Sequence, residues 1–132
     1  MSRIVRIGAA TAFFNDSRMG IAQLLEKAGK LDYIIFDFLA ESVMGALGRG
    51  MASGGSQGFA TDFVDGYILP HLPELLNRRI RIVANAGGLN PSACGEALRA
   101  GAEAEGLQLR IGVVEGDNLT ARSAEIISPE SR

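Results

Sequence analysis

The chain has 132 residues, 13 Lys plus Arg against 15 Asp plus Glu, and a formal net charge of -2. Its 47% hydrophobic and 21% charged residues describe one domain folding around a core, not a disordered chain. The near-neutral balance excludes a nucleic-acid binder that relies on phosphate contacts, the lone Cys94 excludes an internal disulfide or a thiolate zinc site, and no apolar run approaches the ~20 residues of a membrane helix.

Four short runs rich in Ile and Val predict strands at 4–7, 33–36, 80–83 and 109–114. Between the first two, Ile21, Leu24, Leu25 and Ala28 repeat at helical spacing, and Gly29 ends the run. After the second strand, 41–51 reads as a helix carrying Val43, Met44 and Leu47 on its apolar side. A glycine- and serine-rich break follows at 50–58, readable as a linker between helices or as a lid. Phe59, Phe63, Leu69, Leu72, Leu75 and Leu76 then suggest another helix, with Pro70 and Pro73 predicting a kink or restart near residue 70. The clearest helix is 91–105: Asn90 suits the cap and Pro91 the first helical position.

The order β-α-β-α-α-β-α-β predicts an α/β fold, a mostly parallel sheet of about four strands with β-α-β crossovers. The sheet would be open and Rossmann-like, or part of a larger α/β assembly; four strands cannot close an eight-stranded barrel. Residues 1–119 form the expected domain and 120–132 an irregular tail. The last strand has no evident helix to cover it, which predicts a homo-oligomer or a missing companion domain.

Ligands of parallel α/β sheets bind beyond the carboxyl ends of the strands, so the loops there carry the candidate chemistry. They hold Asn15 after the first strand, Asp37 and Glu41 after the second, Asn85, Gly87, Gly88 and Asn90 after the third, and Glu115 and Asp117 after the fourth. Two glycines before a helix start let backbone approach an anion or a carbonyl oxygen; the plainer reading is a tight turn with an ordinary cap. Asn15, Asn85, Gly87, Gly88 and Asn90 are therefore candidate substrate-binding residues. Asp37, Glu41, Glu115 and Asp117 are candidate catalytic carboxylates for acid–base work, and a divalent cation such as Mg²⁺ would fit if they share one edge. Asp37, following Phe36 in a buried strand, is expected to be the most desolvated of the four. His71 and Cys94 read as ordinary structural side chains, the cysteine as a small buried thiol.

Several of these segments together resemble one family. The run Val83-Ala84-Asn85-Ala86-Gly87-Gly88-Leu89-Asn90-Pro91 is similar to the hallmark of the acyclic terpene utilization AtuA family. So are Leu31-Asp32-Tyr33-Ile34-Ile35-Phe36-Asp37-Phe38-Leu39-Ala40-Glu41, the segment 59–63 with Asp62, and Val113-Val114-Glu115-Gly116-Asp117-Asn118-Leu119. They keep the family's order over 4–119, with Asn118 where the family often has Asp. The resemblance implies a place in the catabolism of citronellol- and geraniol-type terpenes, with a branched acyl-CoA or related carboxylate as ligand. It also implies that the chain corresponds to the N-terminal portion of a longer protein. An enzyme is one reading; a non-catalytic binding or assembly module, or a truncated fragment, is the other. Arg3 and Arg6 make the opening residues a poor secretory signal, so a cytoplasmic location is expected, with neither nucleic acid nor membrane as partner.

Overall fold

Gly8 and Gly20 set the first crossover. The computed structural model describes residues 4–119 and 122–127. Its strand β1 runs Ile7–Thr11 and its helix α1 Met19–Lys27. Leu24 rests on Gly8, where a Cβ would lie 2.9 Å from a leucine methyl, and Gly20 lies against the Ala10 carbonyl. Side chains at either glycine would push α1 off the strand.

The first strand thus begins where the expected run 4–7 ends. Ile4 and Val5 have the β-propensity but stand 69% and 46% exposed, whereas the small residues that follow fit beneath α1. Helix packing, not propensity, sets the register.

Strands β2 (Tyr33–Phe36) and β3 (Arg81–Ala84) complete a parallel sheet of order β1-β2-β3. Ile7, Tyr33 and Arg81 form one row across it, and Ala9, Ile35 and Val83 another, with an irregularity in β1 between Ala9 and Thr11. The α/β class and the parallel open sheet are as the sequence predicts, but the described sheet has three strands, not about four. Residues 109–114 form neither strand nor helix and do not join it. They lie on helix α4 (Pro91–Ala104) instead: a Cβ at Gly95 would meet the methyls of Val113 and Ile111 at 3.2 and 3.5 Å.

Helix α2 spans Glu41–Ala52. The proline-interrupted stretch forms a π-helical turn at Phe63–Ile68, a 3₁₀ turn at Leu69–His71 and helix α3 at Leu72–Asn77. The Leu69 N–H reaches back to the Val64 carbonyl, the wide spacing of a π turn. The restart expected near residue 70 falls there because Pro70 has no N–H to continue the ladder.

The core lies on one face of the sheet. Phe36 and Phe38 meet Phe63 and Tyr67 edge-on, with ring centroids 5.3 to 5.9 Å apart. Arg78 joins α3 to the end of α1 by donating to the carbonyls of Leu25, at 2.6 Å, and Gly29. Of the expected tail, Ser123–Ile126 form one helical turn, α5, while 120, 121 and 128–132 lie outside the described residues. Among the described residues no helix is long and apolar enough to cross a membrane.

Candidate functional site

The sequence Asn90-Pro91 builds the start of α4 as expected. Asn90 Oδ1 accepts the Ala93 N–H at 3.2 Å, and Asn90 Nδ2 donates to the Gln57 carbonyl at 3.1 Å. The glycine-rich break is therefore pinned to the Gly-Gly turn. Leu89 N–H also donates to the Gly58 carbonyl, at 2.8 Å.

The two glycines serve close packing. A Cβ on Gly87 would lie 2.7 Å from Pro91, and one on Gly88 2.7 Å from both the Gly58 carbonyl and a Leu47 methyl. Gly88 also has φ +54°, a conformation that favours glycine. The N–H groups of Gly88, Leu89 and Asn90 go to the carbonyls of Asn85, Gly58 and Gly87. The turn thus spends these three donors internally.

Beside this turn lies a cleft of about 340 Å³, lined by Met44, Gly88, Leu89, Asn90, Pro91 and residues 115–118. It brings Gly88, Asn90, Glu115 and Asp117 together. Glu115 is fixed by Ser92, whose hydroxyl donates to Oε1 at 2.7 Å. A second hollow, about 250 Å³ and mainly apolar, is lined by Phe14, Ser42, Val43, Ala46 and Leu47.

The remaining candidates stand apart from the cleft. Asp37 and Asn85 form their own pair: Asn85 Nδ2 donates to Asp37 Oδ1 at 2.8 Å, and Asn85 Oδ1 accepts the Phe38 N–H at 2.7 Å. Thr11 Oγ1 donates to the Asp37 carbonyl at 3.0 Å, tying all three strand ends. Asp37 is exposed, contrary to the expected desolvation, because β2 ends at Phe36 and the chain has already left the sheet. Glu41 is exposed in the first turn of α2, where the helix dipole favours a carboxylate. Asn15 is exposed, with φ +64° in the loop after β1.

The four carboxylates do not gather. Among the described residues no group of three or more His, Cys, Asp or Glu could hold a metal ion. The Mg²⁺ arrangement imagined from sequence therefore does not form from Asp37, Glu41, Glu115 and Asp117. The Cys94 thiol is buried, which pushes its pKa up to about 11 and keeps it protonated.

One carboxylate that residue reading alone did not single out is Asp62, at the start of the π turn. Its Oδ1 is buried with no hydrogen-bond partner. Burial raises the Tyr67 pKa, and the charge of Asp62 adds to it, while Arg18 acts the other way. The Tyr67 hydroxyl donates to the Asp16 carbonyl at 2.5 Å. A π turn, which often marks functional positions, was the signal available, but it is not legible in a sequence.

An open parallel α/β domain with a cleft of mixed polar and apolar lining beside the turn after its third strand is the class that the fold and site define. The model of the acyclic terpene utilisation family protein AtuA matches residues 5–131, and the chain belongs to that family. The match runs past Leu119, where the motif resemblance stops. No curated protein and no solved structure matches the chain.

Proposed function

We propose that this acyclic terpene utilisation family member handles a branched acyl-CoA thioester, or a related carboxyl compound, in the cleft between α4 and residues 115–118. The observation that supports the reading is a pair of hollows that both use residues of α2. One is of mixed character, with Glu115 and Asp117 beside Met44, Leu89 and Pro91; the other is mainly apolar and bounded by Phe14, Val43 and Leu47. A ligand with a polar carboxyl head and a branched hydrocarbon tail matches that pairing.

Charge selects the form of the head. Two carboxylates at the cleft repel a free carboxylate, whereas a thioester carbonyl is neutral and benefits from the positive end of α4. Glu115, held by Ser92, then takes the role of proton acceptor toward the carbon next to that carbonyl. Asp117 adds a second carboxylate to the cleft, Gly88 and Asn90 form part of its wall, and Gly87 lets Pro91 pack close to the turn, while the Asp37–Asn85 pair fixes the strand ends apart from it.

The test is a thermal melt with isovaleryl-CoA, with CoA alone and with isovalerate. A ligand bound only by the native state raises the melting temperature by mass action. A rise with isovaleryl-CoA that CoA and isovalerate do not reproduce supports the proposal. No rise, or an equal rise with CoA alone, contradicts it.

A further inference from the structure

One buried side chain stands outside the core. Leu47, on α2, is 8% exposed, yet it does not join the contiguous cluster around Phe36, Phe38 and Tyr67. Every other buried apolar side chain among the described residues does. The burial of Leu47 has a different source. Its Cδ1 and the Gly58 carbonyl oxygen both lie 2.7 Å from where a Cβ on Gly88 would stand, so the leucine is seated on the bare backbone of the Gly-Gly turn. Gly88 is a wall of the cleft, whereas Leu47 lines the apolar hollow. A single contact of methyl on backbone therefore joins the walls of the two spaces.

Helix geometry puts Leu47 at that border. Successive residues of an α-helix turn by about 100° around its axis. Met44 and Gly48 therefore share one stripe of α2. Met44 lines the cleft, and Leu89, another cleft wall, rests at Gly48 with a methyl 3.5 Å from where a Cβ would stand. Val43 and Ala46 lie on the neighbouring stripe and line the hollow together with Leu47. Of the hollow's α2 residues, Leu47 is the nearest in angle to Met44, about 60° around the axis. The cleft, about 340 Å³, and the hollow, about 250 Å³, are thus neighbours across this leucine. Because the core does not hold it, changing its size spares the packing that folds the chain.

We propose that Leu47 is a specificity-determining residue of the site: it is the partition an acyl tail meets between cleft and hollow, and its bulk sets the largest branched tail accepted. The inference rests on the acyl-thioester reading of the cleft and deepens it. An isovaleryl tail reaches the margin of the hollow at Leu47, and a longer tail has to run past the leucine into the hollow. Apolar pockets separate ligands that differ by one methylene by about tenfold or more, so a leucine at this point is enough to select among tails.

The experiment uses the full 132-residue chain and titration calorimetry with isovaleryl-CoA and 3-methylheptanoyl-CoA, which share head and branch and differ in tail length. The readout is the ratio of the two dissociation constants, which a general loss of stability does not move. Wild type is expected to favour isovaleryl-CoA. Leu47→Ala is expected to shift the ratio toward the longer tail by about tenfold. Leu47→Met, of similar volume, is expected to keep the wild-type ratio. Adding Ala46→Leu to Leu47→Ala fills the hollow from an exposed helix position and is expected to abolish the shift. If Leu47→Ala fails to fold, Leu47→Val decides alone, with a shift of about fourfold in the same direction, the worth of one methylene. An unmoved ratio overturns the proposal. So does a shift that survives Ala46→Leu, since the longer tail then lies outside the hollow. Wild type that binds neither thioester overturns the thioester reading and this inference together; wild type that binds isovaleryl-CoA while the ratio stays fixed in the variants overturns this inference alone.

Discussion

Asn85 and Asp37 are joined side chain to side chain at 2.8 Å, bridging the ends of neighbouring strands across 48 positions of sequence. The same carboxamide accepts the Phe38 N–H, so one side chain fixes how the chain leaves β2 and β3. Asn85→Ala is expected to cost about 1–2 kcal/mol in urea unfolding, because a part-buried N–H loses its acceptor. Asn85→Asp is expected to cost more at neutral pH, where two carboxylates would face each other, and to recover on acidification. Equal stability of Asn85→Ala and wild type would remove the pair from the account.

The Gly-Gly turn makes a sharper comparison. Gly88→Ala places a Cβ at positive φ and 2.7 Å from the Gly58 carbonyl and Leu47. It is expected to cost about 2–3 kcal/mol. Gly106 also has positive φ, +72°, but nothing within 4 Å. Gly106→Ala is expected to cost about 1 kcal/mol, from backbone strain alone. Denaturant midpoints of the two variants check the difference, and equal losses would contradict the close packing.

Stability should fall in alkali. Burial raises the Cys94 thiol from the ordinary 9.0 to about 11, and burial together with Asp62 raises Tyr67 above its ordinary 10.0. Above those ordinary values the unfolded chain releases its protons before the folded one does. The stabilisation is therefore complete below pH 9.0 and is lost as pH climbs toward about 11. Cys94→Ala is expected to lose less melting temperature than wild type over that window, although it starts lower at neutral pH because of the cavity. Parallel curves would mean that the thiol titrates as it does in the unfolded chain.

Local chemistry was legible in the sequence and pairing was not. The Asn90 cap and Pro91 announced α4, since cap and helix start are neighbours in the chain. Gly29, at φ +60°, closed α1 as expected. By contrast, 109–114 has the composition of a strand, yet its fate was decided by Gly95, which offers Ile111 and Val113 a helix surface to rest on. The position of β1 depended on how closely Leu24 could approach Gly8. The break at 50–58 looked like a linker because its tie to Leu89 and Asn90 spans distant sequence. At the candidate site, the loops carrying Gly88, Asn90, Glu115 and Asp117 were foreseen as neighbours, while the separate Asp37–Asn85 pair depended on where β2 ends.

The central claim is that Glu115, held by Ser92, moves a proton on a branched acyl thioester in the cleft. The most direct measurement is mass spectrometry of isovaleryl-CoA incubated with the chain in deuterium oxide. The account predicts deuterium entering the carbon beside the carbonyl with wild type, and its loss with Glu115→Gln although the melt stays cooperative. Exchange no faster than without protein, or exchange that Glu115→Gln leaves unchanged, would contradict it.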